Sequence, residues 1–112
     1  MHNPRSSSIL EHSLAVVELS RTVVQAVQRR DRDLASQLRR ALSSVALNLA
    51  EGFGCSDGSA RVRFETARGS LNEARTAIRV AVAWGYVSAL ATVEVLEVID
   101  ALGARVFGLA RR

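Results

Sequence analysis

The chain has 112 residues, 48% of them hydrophobic, and a formal charge of +4. That length fits one domain with one core, and no apolar run approaches the ~20 residues of a membrane span. The start of the chain lacks the charged and apolar regions of a secretory leader, and a single cysteine, Cys55, excludes an intrachain disulfide. A cytoplasmic location is therefore expected.

In chain order, residues 1–7 read as a flexible leader to a single domain over 8–112. Pro4, the one proline, precedes every periodic segment. Ser8 and Glu11 have the spacing of a capping box, in which hydroxyl and carboxylate satisfy each other's backbone donors. Val16, Leu19, Val23, Ala26 and Val27 then follow helical spacing, with Glu18, Arg21, Gln25 and Arg29 outward. The charged segment 29–33 breaks the pattern and reads as a short turn, with Asp31 or Asp33 capping the next helix.

Helix two carries Leu34, Leu38, Ala41, Leu42, Val45 and Leu49 on one stripe. It is expected to stop over 51–54, where a glycine can take the left-handed terminal turn. A small polar loop over 55–59 follows. In helix three, Phe64, Ala67, Leu71, Ala74, Ile78, Ala81 and Gly85 alternate by three and four, which makes a narrow packing seam. Gly85 ends that helix, Trp84 and Tyr86 are placed to close off the core, and Ser88 caps helix four. The expected core stripe of helix four is Thr92, Val93, Leu96, Ile99, Gly103 and Phe107. Four long helices with short connections predict an all-α, antiparallel up-and-down four-helix bundle.

Apolar residues beyond one stripe per helix call for a second explanation. Val95, Leu102 and Leu109 recur every seven residues, about 120° from the stripe centred on Leu96 at ~100° per residue. Leu47 points almost opposite to Leu38 and Val45. Surplus apolar surface marks an interaction site, so these four residues are expected at the interface of a homo-oligomer.

All fifteen basic side chains are arginine, whose guanidinium suits phosphates and carboxylates alike. Arg61, Arg68 and Arg75 form a row on helix three, with Arg79 beside it. A second cluster, Arg29, Arg30, Arg32, Arg39 and Arg40, surrounds the first hairpin. One reading makes these a phosphate-binding surface that displaces counterions from nucleic acid. The other has their stems covering core edges while the heads pair with Glu65, Glu73, Glu97 or Asp100. No aromatic residue is interleaved with the arginines in sequence, so base stacking is not indicated.

An enzyme is not expected. The two histidines, His2 and His12, sit near the start, without the repeated Glu-x-x-His pairs of a di-metal bundle. Cys55 has no nearby histidine, and no glycine-rich phosphate loop occurs. Neither a cofactor, a metal nor a small-molecule substrate is implied.

Two stretches carry a resemblance. Gln37, Leu38, Arg39, Arg40 and Ala41 lead to Asn48, Leu49, Ala50, Glu51 and Gly52; further on come Ala67, Arg68, Gly69, Ser70, Leu71, Asn72 and Glu73, then Gly85 and Tyr86. Together they resemble the four helix bundle protein family, or 23S rRNA intervening-sequence proteins, related to the accessory variability proteins of diversity-generating retroelements. The resemblance implies a protomer assembling into a ring-like homopentamer, and an association with RNA or a reverse transcriptase. It also singles out Asn48, Glu51, Arg68, Ser70 and Glu73, which are expected to form a polar network tying helix two to helix three. If that network is buried, Glu51→Ala costs several kcal/mol, about the penalty of stranding a charge. Members usually carry an aromatic residue in helix one and a Phe-Pro pair before helix two; segment 29–33 replaces the latter here.

Two functions follow. The first is a non-enzymatic oligomeric scaffold that binds RNA through arginines, as an accessory to a reverse transcriptase. The second is a structural or protein-partner assembly module without nucleic-acid binding.

Overall fold

The computed structural model describes residues 4–111, and the side chains of 8–111. They form four helices, α1 (Pro4–Arg30), α2 (Arg32–Gly54), α3 (Ala60–Ala83) and α4 (Ala89–Ala110). Among the described residues there is no strand.

Local chemistry sets most of the boundaries. Asp31 alone separates α1 from α2; its backbone is extended, and its carboxylate accepts a 3.0 Å hydrogen bond from the Leu34 amide. It is the cap, and Asp33 lies inside the first turn. At the end of α3, Gly85 takes φ +80°, the left-handed conformation that glycine adopts without steric penalty. The Gly85 amide then donates to the Val82 carbonyl and the Tyr86 amide to that of Ala81, both at 2.9 Å. These two bonds make a Schellman turn. Ser88 caps α4 by accepting from the Ala91 amide at 3.2 Å.

One expected boundary moves. α1 is already helical at Pro4, the first described residue, and does not start at Ser8. Ser8 is therefore inside the helix, where its hydroxyl accepts from Arg105 at 3.0 Å. Of the expected leader, residues 1–3 lie outside the described residues, and 4–7 are helical. α2 ends at Gly54, within the expected stop, but without a left-handed glycine. Gly52 has no left-handed φ; it is buried because the Phe64 ring presses against its backbone, leaving no room for a β-carbon.

The helices pack in chain order around one core, and α4 closes back on α1. Cross-helix pairs show the antiparallel sense. Ser44 meets Ser70 while Glu51, seven residues on, meets Arg63, seven residues back. Across α3 and α4, Arg75 meets Asp100 and Arg68 meets Phe107 in the same way. The bundle measures 44 × 22 × 20 Å.

The core contains most of the expected stripes of α2 and α3, from Leu38 to Leu49 and from Phe64 to Ala81; Leu34 is only partly buried and Gly85, in the turn beyond α3, is exposed. α4 is turned about its axis relative to expectation. Thr92, Val95, Ile99, Leu102, Val106 and Leu109 face inward, while Val93 and Phe107 are exposed. Val95, Leu102 and Leu109 are thus hidden within their own protomer, and they cannot form an oligomer interface. Leu47 is exposed as expected, at 64%. The reason is visible in the competing faces: the inward one has no charge or glycine, whereas the outward one is interrupted by Asp100 and Gly103.

Candidate nucleic-acid interface

The arginines divide by helix pair. On α3, Arg75 Nε donates to Asp100 Oδ1 at 2.8 Å, and Arg68 lies 3.8 Å from Glu65 and 4.7 Å above the Phe107 ring. These residues border a groove between α3 and α4 of about 510 Å³, floored by Leu71, Ile99 and Gly103. Its arginines face carboxylates, so this groove is close to neutral. Two of the expected acidic partners, Glu65 and Asp100, are thereby engaged; Glu73 and Glu97 are exposed and make no ion pair among the described residues.

The remaining candidates differ. Arg29, Arg30, Arg39, Arg40, Arg61 and Arg79 are all exposed, and among the described residues none has a carboxylate within ion-pair distance. Arg39 donates to the Gln28 side chain at 2.6 Å, bridging α1 and α2. Arg39 and Arg40, with the ion-paired Arg63 and Glu51, border a shallow hollow between α2 and α3 with Leu47 and Asn48. Uncompensated guanidiniums are the groups that exchange counterions for phosphate.

The expected polar network forms only in part. The Ser44 and Ser70 hydroxyls hydrogen-bond at 2.8 Å across α2 and α3, and the Asn48 amide donates to the Ser44 hydroxyl at 3.0 Å and carbonyl at 2.9 Å. Arg68 and Glu73 take no part in it. Glu51 pairs instead with Arg63, at 3.0 Å, a partner that its sequence position did not reveal. That carboxylate is 56% exposed, so the expected loss of several kcal/mol on removing it is corrected to at most about 1 kcal/mol, the scale of a solvated ion pair.

The aromatic residues also depart from expectation. Trp84 is 68% exposed and closes off nothing; the Schellman turn throws it outward while drawing Tyr86 against the core. The two rings stack, with centroids 6.4 Å apart and planes 17° from parallel. On Tyr86, the Arg30 guanidinium lies 5.5 Å from the ring centroid. The Tyr86 phenol is held above the ordinary tyrosine range, first by desolvation and then by the neighbouring Asp31 carboxylate. Aromatic rings and the first-hairpin arginines, separate in sequence, are therefore neighbours in space.

Cys55 is half-buried; its thiol donates to the Glu51 carbonyl at 3.2 Å and lies the same distance from the Ser59 hydroxyl. Among the described residues, no cluster of His, Cys, Asp and Glu could hold a metal ion, and no helix is long and apolar enough to cross a membrane.

Antiparallel four-helix bundles with arginine-lined inter-helix grooves are a broad class, and comparison narrows it. The family model described as 23S rRNA-intervening sequence protein matches residues 7–108, and the chain belongs to that family. Among solved structures, it is similar to a protein of unknown function from the S23 ribosomal protein family of Bacteroides thetaiotaomicron. Identity is 11%, with a TM-score of 0.81 over 93% of this chain and 99% of the other. At that identity the likeness speaks for the fold alone. No curated protein matches the chain.

Proposed function

We propose that this chain is a non-enzymatic, self-associating scaffold that binds RNA through its unpaired arginines and serves as accessory to a reverse transcriptase. The supporting observation is the set Arg29, Arg30, Arg39, Arg40, Arg61 and Arg79, exposed and without acidic partners among the described residues. The family description names a ribosomal RNA insertion, which fits an RNA partner. A charge of +4 is modest for one protomer, but copies of a weak patch held together act at high effective concentration. Self-association rests on the exposed apolar residues Leu47, Val93 and Phe107, not on the buried face of α4.

The ion pairs of Arg68 and Arg75 favour a second reading, a protein-assembly module whose arginines serve its own fold. Fluorescence anisotropy of a labelled RNA, combined with light scattering of the protein, separates the two. Binding that weakens steeply with salt, and is lost when Arg29, Arg30, Arg39 and Arg40 are changed to alanine without loss of helicity, supports the first. A folded oligomer with no RNA affinity at low salt supports the second.

A further inference from the structure

Stacking of bases on aromatic side chains needs a ring face open to solvent and a cation nearby for the phosphate. One end of the bundle has both. There the α1–α2 turn meets the α3–α4 connection, and three planar groups are neighbours: the Arg30 guanidinium over Tyr86, and Tyr86 alongside Trp84. Trp84 is the outermost, with 68% of its surface open. The same turn exposes Arg29 and Arg32 on either side of Arg30 and Asp31. The carboxylate of Asp31 accepts from the Leu34 amide and also faces Tyr86, while Asp33 is exposed beside Arg32.

We infer that this end of the bundle is a stacking site for an unpaired base of a single-stranded nucleic acid, with Trp84 supplying the ring face and Arg29, Arg30 and Arg32 the phosphate contacts. The inference rests on the RNA-binding reading above and gives it a place and a strand preference. A paired base has both faces covered by its neighbours, so an exposed indole can extend only a strand that is unstacked. Arginine and indole also explain each other. A large exposed apolar ring is costly to leave in water, and a neighbouring cation that meets the backbone would hold a base against it. Stacking on an indole face does not read the sugar, so RNA and DNA single strands should both be accepted.

Trp84 is the only tryptophan in the chain, which makes its emission a direct reporter. Short oligouridine and oligothymidine should each quench that emission on binding, while a duplex of equal charge should not. Trp84→Ala should weaken single-strand binding, followed by anisotropy of the labelled strand, about 5- to 150-fold, the range of one lost base stack. Trp84→Phe should restore most of it. Both variants should keep the wild-type helicity, since the side chain is largely outside the core. Binding without quenching, or binding indifferent to Trp84→Ala, would overturn the stacking site and leave the RNA-binding proposal standing. Equal quenching by duplex would overturn the preference for an unpaired base. No binding by any nucleic acid would remove both proposals together.

Discussion

Glycine has opposite roles at two helical positions of this chain. At Gly52 the Phe64 ring occupies the space a β-carbon would need, and that ring is buried and held by Phe53, 5.1 Å away between centroids. Overpacking of this kind costs about 1–3 kcal/mol, more than the ~1 kcal/mol that alanine gains over glycine in a helix. Gly69 has nothing within reach of an added β-carbon. Gly52→Ala should therefore lower the thermal midpoint and Gly69→Ala raise it, a contrast that circular dichroism melts can read. Tyr86 offers a second test at a single residue. The folded chain holds its phenol protonated beyond the usual range, so the unfolded chain loses that proton first as pH rises past about 10. The contribution to stability is complete below that pH and lost above it. As the one tyrosine present, it can be titrated by ultraviolet absorbance. Asp31→Asn, which still caps α2, should move the midpoint down by removing the negative charge.

The helices differ in how plainly the sequence shows which side faces in. α2 and α3 carry one apolar stripe against a polar background, so their buried faces were readable from spacing. α4 is apolar nearly all round, and two stripes compete. The signal that decides between them is the absence of interruptions on the Val95, Ile99, Leu102 and Val106 side, against Asp100 and Gly103 on the other. Regular heptad spacing along α4 marks the core, not an interface. Leu102 is fully buried, so Leu102→Ala should cost about 2–5 kcal/mol, while Leu47→Ala, at an exposed site, should stay within about 0.5 kcal/mol. Urea titrations would distinguish these, and a small effect at Leu102 would restore the interface reading. Glu51 with Arg63, and Tyr86 with Arg30, are beyond sequence reasoning for another reason. Each pair joins different helices or connections, and periodicity along one helix does not give the register between two.

For the molecule as a whole, charge placement matters more than its sum. The α3–α4 groove neutralises its own arginines, and the first hairpin leaves several of them open, so a net +4 understates the local field at one end. If three arginines there meet phosphates, changing Arg29, Arg30 and Arg32 to alanine should flatten the logarithmic salt dependence for a single strand by about 2, at roughly 0.7 for each contact. An unchanged slope would put the phosphate contacts elsewhere.

The order in which the helices touch has a kinetic side. Three of the four seams join helices consecutive in the chain, and one of those hairpins turns on Asp31 alone. Closing such short loops sacrifices little chain entropy, so refolding from denaturant should fall in the microsecond-to-millisecond regime of local topologies. The α1–α4 seam, where Arg105 reaches Ser8 and His12, spans nearly the full contour and would be the last to zip. Substitution of Arg105 should then speed unfolding while leaving the refolding rate almost untouched.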